Sequence, residues 1–192
     1  MILSPGTFLR VGVLLLLAVV LQLSGFSQLS IFGGHIDLVV LVVAAVAFYA
    51  GSVAGCATGF TAGFMLDLAS GATMGVSSLV LTAVGYGVGR FREVRDPSHG
   101  LLPLAVGAAA TGGFVVAFAA VSFMLDVGAS VSPLVIRDAI VTTLLNVLLA
   151  LPVFTGARKL LRPVLRFDPL EVGRRRRPPR EAGPLGLRGL EV

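Results

Sequence analysis

Catalysis needs polar side chains that converge on one point, and few polar side chains interrupt the apolar stretches of this chain. Asp67 follows the run GFTAGFML, and Asp37 opens another apolar stretch. Asn146 lies six residues before Pro152, and Arg137 and Asp138 stand side by side. No hydroxyl or thiol in these stretches has a general base beside it, and no carboxylate or histidine pair has metal-ligand spacing. His35, His99 and the single cysteine, Cys56, are too scattered for a zinc site or a disulfide framework. The reading is a chain with no catalytic, cofactor-binding or metal-ligating residues. What remains is hydrogen bonding between helices. Asn146 is the natural donor and acceptor for it, worth about 0.6 kcal/mol in a membrane bundle. Asp67 either ends a helix in the headgroup region, or caps the turn at Ser70 and Gly71, or reaches a partner helix or Arg137.

The elements that position these residues follow from hydropathy. The mean hydropathy is +0.96 and 56% of residues are hydrophobic, which places the chain among integral membrane proteins. A length of 192 residues accommodates roughly six spans of about 20 residues with short loops. Six apolar segments are present, at 8–23, 36–50, 53–68, 75–89, 101–125 and 134–157. The run 36–68 carries only Asp37 and Asp67 as charges and is too long for one crossing, so it divides at a tight turn near Gly51 and Ser52. The expected fold is an all-α membrane protein, a six-transmembrane-helix bundle over residues 1–166, followed by a disordered basic cytoplasmic tail at 167–192.

A ladder with a step of four runs through the third segment: Gly51, Gly55, Gly59, Gly63, Asp67, Gly71 and Gly75. In a bilayer the backbone must bond to itself, and small residues at i, i+4 let a second helix come close. The ladder is therefore a packing surface, either for another helix of the same bundle or for another protein.

Charge is unevenly placed. From Arg158 onward there are ten Lys/Arg and four Asp/Glu, a net of +6; the residues before it carry a net of −1. Arg10, the cluster Arg90, Arg92 and Arg95, and the group Arg158, Lys159, Arg162 and Arg166 all fall inside if six spans leave both termini in the cytoplasm. Asp37, Asp67 and Asp126, with Arg137 and Asp138 opening the last span, then fall outside, and Arg137 is the only basic residue assigned to that side. Arg158, Lys159, Arg162 and Arg166 face anionic lipid headgroups, as does the RRRRPPR run of the tail, at about 1 kcal/mol per basic residue near the surface. A nucleic-acid partner is excluded, since that reading needs a basic folded face interleaved with stacking aromatics.

The segment GFTAGFMLDLASGATMGVSSLVLTAVGYGVGR, from Gly59 to Arg90, resembles the rod shape-determining protein MreD family. That family carries a G-F-x-x-G-x-x-x-D run, a glycine-containing turn and a second apolar span ending in a basic loop. The last span, with Asn146, Pro152, Arg158 and Lys159, is also similar. The segment opening at Asp37 departs in one respect, since the family commonly has Pro-Asp there and this chain has Ile36 before Asp37. The resemblance implies a non-enzymatic scaffold of the bacterial elongation machinery in the cytoplasmic membrane. Its implied partners are a bitopic MreC-like protein and, through it, MreB, RodA and a class B penicillin-binding protein. It also implies a helical arrangement similar to the substrate-binding subunits of energy-coupling-factor transporters. A vitamin-binding subunit is thus the rival reading. That rival needs an outer pocket with convergent polar and aromatic groups and a small-residue face on the first span, often Ala-x-x-x-Ala, where Ala18 is the single alanine.

Overall fold

The computed structural model describes residues 5–26, 34–71, 73–94, 102–125 and 133–165, with backbone alone at 5–8, 26, 133–135 and 162–165. Asp126, Arg166 and the basic tail expected at 167–192 lie outside the described residues. Among them the chain is all helix: α1 (Pro5–Leu21), α2 (Leu38–Ala50), α3 (Ser52–Ser70), α4 (Val76–Val94), α5 (Leu102–Met124) and α6 (Pro133–Leu165). A π-helical turn, Gln22–Phe26, extends α1.

The bundle is organised around α2. Its sequence, LVVLVVAAVAFYA, is rich in β-branched residues that in water would suit a strand. With no water to satisfy its backbone, the segment bonds within itself and becomes a helix. It has no polar face, and a helix apolar all round has to be buried. Every residue from Val39 to Phe48 is buried, and α2 touches all five other helices. The core joins these residues to Leu15, Ala18 and Val19 of α1, Leu81 of α4, Val106 and Ala110 of α5, and Ala150 and Phe154 of α6. At the C-terminal end of α2, Phe48, Tyr49 and Phe154 form an edge-on aromatic triangle with centroids 5.3–6.2 Å apart.

The outer helices present their apolar side chains outward. Leu16 and Leu17 of α1, Phe60 and Phe64 of α3, Val116 of α5 and Leu144 and Leu148 of α6 are all exposed. An outside more apolar than water tolerates marks a surface that meets lipid. Three helical stretches are long and apolar enough to cross a bilayer: Ser52–Ser70, Leu102–Met124 and Ile136–Leu161. The 13 residues of α2 rise only about 20 Å, short of a hydrocarbon core of about 30 Å. α6 is the opposite case. It continues as one helix through Pro152 to Leu165, so Arg158 and Lys159, both exposed, extend the sixth helix beyond the end expected at residue 157.

Candidate functional site: a glycine seam and cross-capped helix ends

α3 and α4 are antiparallel neighbours in very close contact. Gly55 of α3 faces the backbone of Gly85 on α4, Gly59 faces the carbonyl group of Leu81, and Gly63 faces the Cα and N of Ser78. Gly89 of α4 lies on the backbone of Ser52 in the same way. A Cβ at any of these glycines would overlap main-chain atoms that have nowhere to go. The small-residue spacing thus brings two backbones together along four helical turns.

The ladder therefore divides. Gly55, Gly59 and Gly63 form the seam, and they face α4 of the same chain. Gly51, Gly71 and Gly75 are turn residues with φ of +93°, +65° and +99°. Gly51 separates α2 from α3, which is the turn expected near Gly51 and Ser52. Gly71 ends α3 in a left-handed conformation, the usual glycine C-cap. Gly75 opens α4, since its carbonyl accepts from Leu79 at 2.9 Å.

Gly75 has no side chain with which to cap α4. Asp67 supplies the cap from α3. Its Oδ2 accepts from the Gly75 N–H at 2.8 Å and the Ser78 N–H at 3.3 Å, and its Oδ1 from the Ser77 N–H at 3.3 Å. Asp67 is 1% exposed. Of the alternatives for Asp67, the contact to a neighbouring helix is the one the hydrogen bonds make, and the cap on Ser70 and Gly71 and the reach to Arg137 are corrected. Its partners are the orphan amides of the next helix, because the four-residue step puts it on the face that carries Gly63. Arg137 is exposed on α6.

The other end of the hairpin repeats the device in reverse. Glu93, in the last turn of α4, accepts from the Ser52 hydroxyl at 2.7 Å and the Ser52 N–H at 3.0 Å. These bonds hold its carboxyl below the usual carboxylate range, and Arg90 at 3.2 Å adds to the effect. Each helix thus carries near its C-terminus an acid that caps the N-terminus of the other, where the helix dipole favours negative charge. Glu93 was not singled out by the sequence reading. Its spacing from Ser52 depends on the register of the seam, which no local motif encodes.

α2 is capped from outside at both ends. At its C-terminus the Arg92 guanidinium donates to the Tyr49 carbonyl at 2.6 Å. At its N-terminus Asn146 of α6 accepts from the Asp37 N–H at 3.1 Å and donates to the Thr111 hydroxyl of α5 at 3.2 Å. Gln22 accepts from the Val39 N–H at 2.8 Å and donates to the Asp37 carboxylate at 3.4 Å. Thr142 accepts from the His35 N–H at 3.0 Å. Asn146 and Thr111 are fully buried.

These contacts correct two expectations. The bundle interior is not bare of polar groups, because a buried helix end must find its hydrogen bonds within the protein. Nor does Asp37 lie level with Arg137 and Asp138 at the N-terminal end of α6. It is level with Asn146, about 15 Å along the apolar stretch Ile136–Leu161, because a helix as short as α2 starts deep. Gln22 escaped attention because a lone amide at the end of an apolar run carries no distinguishing pattern. Of the basic residues expected to face lipid, the structure describes two side chains. Arg158 and Lys159 are exposed, Arg162 lies on α6 as backbone alone, and Arg166 lies outside the described residues.

Chemically, this arrangement does one thing: it terminates helices. Every buried side-chain nitrogen or oxygen among the described residues has a hydrogen-bond partner. No group of three or more His, Cys, Asp or Glu among them could hold a metal ion.

The family model of the rod shape-determining protein MreD matches residues 4–163, which contain the seam and all the caps. The chain belongs to this family. Comparison with curated proteins found no match, and comparison with solved structures found none. The chain is thus a membrane protein of a family that acts in rod shape determination.

Proposed function

We propose that this MreD-family chain is a non-enzymatic scaffold of the cell-elongation complex, carried by six membrane crossings with both termini in the cytoplasm. Three stretches meet the requirement for crossing on length and hydropathy alone. The other three crossings are α1, the short buried α2 and α4, which the seam ties to α3. In this arrangement Arg10, Arg90, Arg92, Arg158 and Lys159 gather on the cytoplasmic side, in keeping with the positive-inside rule. Residues 1–166 form the membrane domain, and the basic tail at 167–192 rests against anionic lipid.

The partners are those that the family resemblance implies. A bitopic MreC-like protein docks against the bundle, and MreB, RodA and a class B penicillin-binding protein join through the assembly. The scaffold holds wall synthesis and the cytoskeleton together and turns over no substrate.

One observation carries this reading beyond family membership. The buried polar side chains Asp67, Asn146 and Thr111 are bonded to helix ends or to one another, so among the described residues these three are committed to holding helices. A small-molecule subunit would instead keep convergent polar groups for orienting its ligand.

The test is crosslinking and affinity purification from native membranes, followed by mass spectrometry. The expected result is recovery of an MreC-like protein with wall synthases. Recovery of paired ATPases with a coupling membrane protein would refute the scaffold and support a transporter.

A further inference from the structure

The rise of α6 fixes where the hydrocarbon ends. Its apolar stretch begins at Ile136, and about 1.5 Å per residue reaches a depth of about 30 Å near residue 156. Phe154 is therefore at the edge of the hydrocarbon, and Arg158, one turn on, stands just beyond it. Tyr49 of α2 shares this level, since its ring meets that of Phe154 at 6.2 Å. So does the Arg92 guanidinium of α4, which donates to the Tyr49 carbonyl at 2.6 Å.

Three helices thus bring two cations and a phenol to one level, and the three groups are also neighbours. Arg158 follows Phe154 by four residues, so it lies on the side of α6 that carries Phe154 to Tyr49. The charges of Arg158 and Arg92 both act on the Tyr49 phenol.

None of the three is neutralised within the described residues. The one ion pair among them joins Arg90 to Glu93, and Glu93 is otherwise committed to Ser52. Arg92 spends one N–H on a neutral carbonyl, which leaves its charge uncompensated and further N–H groups open. Arg158 is exposed and has no acidic partner among the described residues. The Tyr49 hydroxyl donates to none of their groups, and the residue is only half-buried.

Like charges gathered at the edge of a low-dielectric region repel unless an anion lies between them. Guanidinium and phenol O–H groups suit the several oxygens of a phosphate, which Arg grips bidentately. At this depth the abundant anion is lipid phosphate. The surface below agrees with a lipid. Leu151, two turns before Arg158 on the same side of α6, is 46% exposed. An acyl chain covers that surface, and a soluble phosphate leaves it bare.

We propose that Arg92, Arg158 and Tyr49 form a binding site for the phosphate of one anionic phospholipid, at the level where α2 ends. The leaflet is the cytoplasmic one in the orientation proposed above, on which that part of the assignment rests. General attraction to the basic residues of α6 and the tail is different in kind, because it needs neither Arg92 nor Tyr49.

Arg92 also caps α2, and its replacement can unfold the bundle, so the other two groups carry the test. Tyr49→Phe removes one hydroxyl and keeps the aromatic triangle. Arg158→Gln removes one exposed charge. Arg10→Gln removes an exposed charge of α1 assigned to the same side and is the control for general attraction. Each full chain is purified in mild detergent, given phosphatidylglycerol, and examined by native mass spectrometry, with inorganic phosphate as competitor.

The expected result is one tightly held phosphatidylglycerol on the parent chain and on Arg10→Gln. Retention should fall by about tenfold or more in Arg158→Gln and in Tyr49→Phe, with unchanged unfolding temperature. Excess inorganic phosphate should leave the lipid in place. Equal retention in Arg158→Gln and Arg10→Gln would overturn the site, since general attraction alone would then account for the lipid. Full retention in Tyr49→Phe would overturn the part of the phenol, and displacement by inorganic phosphate would overturn the lipid as occupant. Cysteine labelling of residues flanking α4 from either side of the membrane tests the leaflet separately. Partner recovery from native membranes tests the scaffold whatever the lipid result.

Discussion

Replacing Asp67 by alanine is the sharpest perturbation of this bundle. The carboxylate accepts from three backbone N–H groups at the start of α4, and two of the donors, Ser77 and Ser78, are 5% and 3% exposed. Losing an N-cap costs about 1–2 kcal/mol where water can replace it. Here water reaches only the half-buried Gly75, and each buried orphan donor costs about 1–3 kcal/mol. The expected loss for Asp67→Ala is therefore about 3–5 kcal/mol, more than a hundredfold in the folding equilibrium. Asp67→Asn keeps one acceptor oxygen, enough for the two bonds now made by Oδ2, and should lose about 1–2 kcal/mol. Unfolding in detergent micelles gives the ordering, and hydrogen exchange at Ser77 and Ser78 locates it. Ser70→Ala, at an exposed site in the same helix, should be nearly neutral. The reasoning fails if Asp67→Ala matches Ser70→Ala, or if amide protection at 77–78 is unchanged. It also fails if Arg137→Ala destabilises as much as Asp67→Ala, since that result would restore the ion pair that the geometry does not contain.

Further outcomes follow from the same contacts. Gly59→Leu or Gly63→Leu should prevent the α3–α4 hairpin from closing, with loss of folded protein on size-exclusion chromatography; wild-type assembly with both substitutions would refute the seam. Asn146→Leu leaves the Asp37 N–H and the Thr111 hydroxyl unpartnered, and a loss of about 1–3 kcal/mol should appear in unfolding. Glu93 has a folded-state pKa depressed below its ordinary 4.5, so its contribution is present above that value and fades as pH falls through the lower folded value. The stability gap between wild type and Glu93→Gln should accordingly be constant near neutrality and close in acid. A gap that persists unchanged to strongly acidic pH would show that Glu93 acts by packing alone. Truncation after Arg166 should leave cell shape intact if the tail is only an electrostatic anchor, and misshapen cells at normal protein levels would assign it a partner.

The legible part of this fold was what hydropathy and small-residue spacing encode. The apolar segments correspond to the helices, and the break at Gly51 lies where a run too long for one crossing had to turn. The direction of the ladder's face was not legible, because a glycine ridge has the same sequence whether it meets its own hairpin partner or another protein. The caps were hidden for a related reason. Asp67 with Ser78, Glu93 with Ser52 and Asn146 with Asp37 are pairs set by tertiary register, 11, 41 and 109 residues apart. The depth of Asp37 was also concealed. A carboxylate before an apolar run reads as a surface residue unless the run is known to be short and central.

The seam between α3 and α4 is backbone against backbone, and this limits how the chain can change over time. A side-chain contact altered on one side can be restored by a complementary change on the other. A glycine Cα lying on a carbonyl group has no complement, since the opposing group is the same whichever residue occupies the position. Gly55, Gly59 and Gly63 are therefore expected to be held one by one across the lineage. Paired exchange remains open only at the caps, such as Asn146 with Thr111. Covariation among relatives would then say least about the tightest contact in the molecule and most about its edges.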